Sequence, residues 1–303
     1  MEIAVTGATG FIGKGLVDIL LKEGHSVIVL SRNPDRARPL FKNKLEALMW
    51  SPENKDELIM ALDGIDVIVN LAGNNIGSSL WTKAKREKII ESRVRAGRLV
   101  SELICSMKKP PQVLIQASAV GYYGTRGDET LTEDSERGSG FLSEVAMKWE
   151  NSTVTTETSG VRCVVVRSGV VLSANGGALP KLALPYRLHV GMVLGSGEQW
   201  LPWIHYVDEI SAIYFLMTNA ESKGAYNLVA PFPSRMSEVC QHLGPTLLKL
   251  PSSFVKFSLG KMGEETILVS QRVIPRRLLK HGFQFKFENV EKAVADIYGR
   301  KDS

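Results

Sequence analysis

Cysteine is scarce: Cys105, Cys163 and Cys240 are the only three in 303 residues, far apart and without metal-ligand or disulfide-framework spacing. That excludes a zinc-ribbon or disulfide-stapled scaffold. A reduced, cytoplasmic setting is the expectation. Long hydrophobic runs are also missing. The apolar stretches are strand-sized, so no membrane-spanning helix is expected. Met1 leads straight into EIAVTG, so no signal or transit peptide is expected. Internal repeats, low-complexity tracts and flexible linkers are absent, and no oligomer interface is legible.

Charge imbalance is nearly absent from the first 250 residues. The chain holds 37 Lys/Arg and 32 Asp/Glu; ten and six of these fall in residues 251–303, leaving 27 and 26 for the rest. The net charge of +5 therefore comes mostly from the tail, around Arg272, Arg276, Arg277 and Lys280. Neither aromatic-basic interleaving nor finger spacing accompanies that cluster. It reads as a solvated basic face, and no nucleic-acid or membrane partner is expected.

What is present is a globular composition, 44% hydrophobic. Short apolar runs alternate with amphipathic stretches. EIAVT (2–6), SVIVL (26–30), EALMW (46–50), DVIVNLAG (66–73), QVLIQAS (112–118) and VRCVVVRSG (161–169) read as strands. Helices are expected over 11–23, near 82–107 and near 140–159. This pattern predicts an α/β fold: a Rossmann-type, doubly wound parallel sheet covered on both faces. After residue 170 Gly and Pro increase and the elements shorten. We expect a nucleotide-binding domain over 1–170, a smaller α+β substrate lobe over 171–250, and a C-terminal segment over 251–303 packed on the lobe.

TGATGFIG places Gly7, Gly10 and Gly13 between a strand and a helix. In that context the spacing is a dinucleotide-binding turn. Gly7 allows the tight turn, Gly10 the close approach of a pyrophosphate, and Gly13 the packing of helix on strand. Thr9, Phe11 and Ile12 offer backbone N–H groups at the helix N-terminus, and Thr9 also a hydroxyl. The second strand ends at Ser31 and Arg32 rather than at Asp or Glu. Ser31 can donate to a 2′-phosphate and Arg32 can pair with it, so NADP(H) is expected over NAD(H).

TGATGFIG, NLAG (70–73), QASAVGYYG (116–124), RSGVVLS (167–173), WIHYVDEI (203–210) and YNLVAP (226–231) fall in the order of extended short-chain dehydrogenases/reductases, the NAD(P)-dependent epimerase/dehydratase-like proteins. Trp81, Thr82, Ser92, Arg93, GSGEQWLPWIH (195–205) and QRVIPRRLLKHGFQF (271–285) resemble an atypical, YfcH-type subgroup of epimerase family proteins. The resemblance covers most of the chain. It implies cofactor contacts by Leu71, Ala72 and Gly73 after the fourth strand and by Arg93 on the long helix. It also implies contacts by Ala117 and Ser118 near the nicotinamide, and by Val170 and Val171 after the sixth strand.

Active members of the parent family carry Tyr-x-x-x-Lys on the helix that here reads GSGFLSEVAMKWE (138–150). Alignment on Glu150 puts Leu142 and Ala146 at those positions, and alignment on Lys148 puts Glu144 at the tyrosine. None of the seven tyrosines has a lysine four residues on. Ser118 and Tyr123, with Tyr122, are the replacement candidates for catalysis; the alternative for the tyrosines is packing of the loop. Glu144 is a base or a solvated helix residue, and Arg167 an anion contact or a salt bridge. Asp208 is expected to cap or initiate a helix over 208–219, and His205 to support the lobe. Trp81, Trp200 and Trp203 wall a pocket or pack the core. Two functions follow: an NADP(H)-dependent oxidoreductase or epimerase on an unidentified small molecule, or a non-catalytic NADP(H)-binding sensor or interaction protein.

Overall fold

Seven strands pair in parallel because their apolar runs are buried on both faces. β1 (Glu2–Thr6), β2 (Ser26–Ser31), β3 (Glu46–Met49), β4 (Val67–Asn70), β5 (Val113–Ala119), β6 (Arg162–Ser168) and β7 (Gly224–Leu228) form one sheet in the order β7-β6-β5-β4-β1-β2-β3. The computed structural model describes residues 1–299. The strand order reverses between β1 and β4. In such a sheet a ligand crevice opens there, beyond the carboxyl ends of the strands.

Side chains alternate between two cores, as a period of two requires. On one face Ile3, Val5 and Val29 pack with Leu16, Val17 and Leu20 of α1 (Phe11–Lys22) and with Ile213 and Leu216. On the other, Ala4, Ile28 and Leu30 meet Leu58 and Leu62 of α2 (Lys55–Leu62) and Leu99, Val100 and Leu103 of α3 (Lys83–Ser106). Burying each such aliphatic side chain contributes about 1.5–3 kcal/mol. The helix expected near 140–159 stops early, as α4 (Phe141–Asn151). Ser152 and Thr153 turn their hydroxyls back onto the carbonyls of Trp149 and Glu150, and a 3₁₀ stretch (Val154–Ser159) follows. This Ser/Thr-rich run hydrogen-bonds its own backbone instead of extending the helix.

The lobe has its own core. Leu179 and Tyr186 of α5 (Leu179–Arg187) pack with Trp203, Met236 and Val239. The expected boundaries need correction. α6 (Tyr206–Thr218) packs its Ile210 and Ile213 into the main core, and β7 is an edge strand of the central sheet. Residues 206–228 thus return to the nucleotide half, and the lobe is interrupted.

The C-terminal segment is a strap rather than an appendage of the lobe. It contains α8 (Ser252–Thr266), α9 (Arg276–Lys280) and α10 (Val290–Tyr298), and follows α7 (Met236–Leu243). Val290 and Val294 join the lobe core, whereas Leu278 and Phe283 join the main core. The short strand Arg272–Val273 pairs with Thr130–Leu131. Arg276 and Arg277 meet Asp134 at 3.4 and 2.7 Å, so part of the basic cluster is committed within the fold.

Candidate functional site

The β1–α1 turn sits at the switch point, packed on the chain leaving β4. Gly7 has φ +68°, and a Cβ there would lie 2.7 Å from the Leu71 carbonyl. A Cβ on Gly13 would overlap the Gly7 carbonyl, and one on Gly10 would stand 3.0 Å from it. Gly10 donates to that same carbonyl at 2.9 Å and closes the turn. Gly10 is the N-cap of α1 and supplies no side-chain acceptor, and the first turn holds no acid. Its N–H groups, those of Phe11 and Ile12 among them, face outward with a positive helix end behind them. Thr9 and Gly10 are exposed. The Phe11 ring is held between Tyr206, at 4.8 Å in a stack, and Gly176, where a Cβ would come within 2.5 Å of the ring.

At the end of β2, Ser31 is half-buried and its hydroxyl accepts from the Asn33 N–H at 3.1 Å. Arg32 is exposed, with no salt bridge or side-chain hydrogen bond among the described residues. Arg38, by contrast, is bound to Asp35 at 2.7 Å and to the Ala47 carbonyl at 3.0 Å. Asp35, the acid of this turn, is therefore already paired, and Arg32, like Arg36, has no charge partner among the described residues.

Three strand ends are tied beneath the crevice by a polar ladder that the sequence did not reveal. The Thr6 hydroxyl donates to Asn70 Oδ1 at 2.7 Å, and Asn70 Nδ2 donates to Gln116 Oε1 at 2.8 Å. Gln116 Nε2 closes on the Ala117 carbonyl at 2.8 Å. All three polar side chains are fully buried, so each unmade bond would cost about 1–3 kcal/mol. The ladder fixes where Leu71, Ala72 and Gly73 emerge. A Cβ on Gly73 would stand 3.1 Å from the Arg93 guanidinium. Arg93 donates to the carbonyls of Asn74 and Ile89 at 2.9 and 3.1 Å and lies 4.6 Å over the Trp149 ring. No carboxylate pairs with it among the described residues. Burial alone pulls its pKa down to about 10, the mark of a desolvated, uncompensated cation.

The expected catalytic end is differently built. Ser118 is buried and donates to Glu150 Oε1 at 2.6 Å. Arg167 grips the same carboxylate through Nε and Nη2, both at 2.9 Å, and donates from Nη1 to the Tyr123 hydroxyl at 3.0 Å. Tyr123 in turn donates to Asn227 Oδ1 at 2.7 Å. Tyr123 is fully buried, and burial raises its pKa to about 12. Of the two readings of Tyr123 the geometry agrees with packing: its hydroxyl is enclosed between Arg167 and Asn227. The half-buried Tyr122 stacks on Arg167 at 3.6 Å. Glu150 holds Arg167 well above its ordinary value despite the burial that opposes it. Leu142 and Ala146 occupy α4 where the family tyrosine and lysine are aligned, and Glu144 is paired with Lys148 at 2.5 Å.

Ala117 and Val171 are buried, and Val171 pairs with Ile204. Trp203 is core and Trp200 donates to Asp128 at 2.6 Å. His205, not Asp208, caps α6: its Nδ1 accepts from the Val207 N–H at 3.2 Å. Its ring centre lies 3.8 Å from that of Phe287, tilted by 38°, and burial lowers its pKa. The Asp208 carboxylate accepts from the N–H groups of Lys286 and Phe287 at 2.8 and 2.9 Å and so anchors the strap. Glu265 of α8 likewise caps α4, accepting from Phe141 and Leu142 at 3.0 and 2.8 Å. Gln271 holds the Val120 and Gly124 carbonyls around Tyr122–Tyr123. Glu209, next to Asp208, is fully buried; it accepts from Ser168 at 2.5 Å, and burial lifts its pKa to about 8. An open cavity of about 520 Å³ lies in the lobe beside Gln241 and Thr246. A second, of about 360 Å³, lies between Trp81 and α8. Neither includes the glycine turn.

Comparison with known proteins matches residues 3–229 to the NAD dependent epimerase/dehydratase family and residues 250–297 to a domain of unknown function, DUF1731. The epimerase family protein YfhF of Bacillus subtilis (strain 168) is 38% identical over 303 residues, covering 98% of either chain. The crystal structure of the human epimerase family protein SDR39U1 (isoform2) with NADPH superposes with a TM-score of 0.87 at 32% identity, over 99% of this chain and 100% of that one. UDP-glucose 4-epimerase from Thermotoga maritima shares the fold, with a TM-score of 0.77 at 16% identity and 97% of each chain covered.

Proposed function

We propose that this chain, which belongs to the NAD dependent epimerase/dehydratase family, binds NADP(H) and acts with it as an oxidoreductase or epimerase on a small molecule. The observation that carries the reading is the glycine turn: an uncapped helix N-terminus, free of acid in its first turn, packed so closely that a Cβ on Gly7 or Gly13 would overlap backbone. A pyrophosphate suits it, because the open N–H groups of Phe11 and Ile12 supply donors and the helix end a positive field. Arg32, without a charge partner and with the nearby Asp35 taken by Arg38, suits a 2′-phosphate. Arg93, half-buried without a carboxylate, suits the same anionic chain from the other side. Leu71, Ala72 and Gly73 form the floor, with Ala117 and Val171 at the nicotinamide end. The relative crystallised with NADPH supports this choice over NAD(H).

When bound, the cofactor supplies or accepts a hydride. The chain's own part is proton handling at Ser118. A substrate hydroxyl donates to Ser118 Oγ, which passes its own proton to Glu150 Oε1 along the 2.6 Å bond. Arg167 holds the Glu150 carboxylate in place through Nε and Nη2. This relay stands in for the family's tyrosine-lysine pair. Consumption of NADPH against a panel of carbonyl compounds, and of NADP⁺ against the matching alcohols, tests it. Turnover lost in Ser118→Ala with cofactor affinity kept supports the reading; turnover equal in the two proteins removes the relay.

A second reading, cofactor binding without turnover, is favoured by Leu142 and Ala146 and by the closure of Ser118, Glu150, Arg167 and Tyr123 on one another. Tight NADPH binding with no oxidation above buffer across the panel would select it.

A further inference from the structure

We infer that the cleft between the Trp81 loop and α8 is a binding site for an organic carboxylate with a flat apolar body. Its volume of about 360 Å³ suits a small ligand. Trp81 is fixed as one wall. Its Nε1 donates to the Ile76 carbonyl at 2.8 Å, and its ring meets Phe141 edge-on at 4.9 Å. The opposite wall comes from α8, which breaks at Gly260, where φ is 55° and ψ −140°. Leu80, Leu259 and Met262 supply apolar lining.

Only two charged side chains line the cleft, Arg86 and Lys261, and both are positive. Arg86 Nε is buried without a hydrogen-bond partner, and no carboxylate lies within 4 Å of the guanidinium among the described residues. The group rests 5.8 Å over the Phe141 ring. The two hydroxyls of the lining are already engaged: Thr82 accepts from the Lys85 N–H, and Ser258 donates to the Phe254 carbonyl. Anion recognition therefore falls to Arg86, with Lys261 at the rim. A carboxylate matches a guanidinium fork in two parallel bonds. The aromatic and aliphatic walls call for a planar apolar remainder rather than a sugar or a bare phosphate.

The cleft adjoins the reaction side. Phe141 is the first residue of α4, and Leu142 lies against Gly121, just beyond the end of β5. As the substrate's site the cleft rests on the oxidoreductase reading; as a binding site it does not.

The test uses the full-length protein, with tryptophan fluorescence and calorimetry. The probes are trans-cinnamate, its methyl ester and inorganic phosphate, with and without saturating NADPH. Cinnamate is expected to bind saturably and the ester at least about tenfold more weakly, because the charged hydrogen bonds are lost. Arg86→Gln should weaken cinnamate by about the same factor. Arg95→Gln, on the exposed pair with Glu91, should leave it unchanged. Equal binding of acid and ester to the wild-type protein would overturn the inference, as would phosphate binding as tightly as cinnamate or no saturable cinnamate binding at millimolar concentration. The acid-ester comparison needs no variant. NADPH titration of the same samples separates the two ideas, since cinnamate binding without NADPH binding would sink the cofactor reading alone.

Discussion

At the β1–α1 turn, hydrogen-bond donors are left open; at the ends of β5 and β6, Ser118, Arg167 and Tyr123 all donate to protein acceptors. The two regions lie on one sheet in a single chain. The first leaves groups open, with uncapped N–H groups, Arg32 without a charge partner, and Arg93 desolvated without a carboxylate. The second resembles a buried salt-bridge network, with Glu150 satisfied by both Ser118 and Arg167. Ligand-ready groups are incomplete without the ligand, whereas groups that complete one another hold the fold. The comparison therefore assigns binding to the first region more strongly than chemistry to the second.

The largest effects should come from removing a member of the closed network. Glu150→Ala strands the Arg167 charge and should cost about 3–5 kcal/mol in denaturant unfolding. NADPH affinity of the folded fraction should change little. A loss under 1 kcal/mol (about fivefold in the folding equilibrium) would mean that the network is solvated. Gly13→Ala should act on both counts, because its Cβ overlaps the Gly7 carbonyl. We expect about 1–3 kcal/mol of destabilisation from overpacking, together with loss of detectable NADPH binding. Gly10→Ala meets only a 3.0 Å contact and should fold normally while weakening the cofactor.

Arg32→Glu sharpens the open side. Replacing an attractive charge by a repulsive one should raise the NADPH Kd by about ten- to a hundredfold, or roughly 1.4–2.8 kcal/mol, and leave NADH unaffected. Equal NADPH affinity in the two proteins, by calorimetry, would remove Arg32 from the site.

The smallest effects concern single buried groups. Tyr123→Phe removes the hydroxyl shared with Asn227 and Arg167 and should cost about 1–2 kcal/mol. Any turnover should persist, since that hydroxyl is sealed from the cleft. Glu209 predicts a pH dependence. Its folded pKa, about 8, lies above the ordinary 4.5, so the folded state binds the extra proton. That contribution to stability is full below the ordinary value and declines as pH rises towards 8. Glu209→Gln should flatten this slope in unfolding curves taken across the window. An unchanged slope would show that Glu209 is ionised in the fold.

Much of the nucleotide half was legible, because its signals are local. The apolar runs of β1, β2 and β5 and the spacing of Gly7, Gly10 and Gly13 each need only neighbouring residues to be read. The catalytic end was legible only as a lack, the missing tyrosine and lysine. Its actual contacts join residues far apart in sequence, Glu150 with Arg167 and Tyr123 with Asn227, and neither pairing leaves a periodic trace. The Thr6–Asn70–Gln116 ladder is hidden for the same reason, since each member resembles an ordinary strand-end polar residue. Asp208 looked like a helix cap because acids favour first turns; tertiary contact with the Lys286 and Phe287 N–H groups took the carboxylate instead. The return of residues 206–228 to the main sheet was missed because β7 is a short edge strand whose partner, β6, precedes it by an entire lobe segment.

The most direct test of the account is a paired calorimetric titration of the full-length protein with NADPH and NADH. The account predicts saturable NADPH binding, at least about tenfold tighter than NADH, from the charge pair at Arg32. No binding of either dinucleotide, or a preference for NADH, would contradict the claim that the open groups at the glycine turn are built for NADP(H).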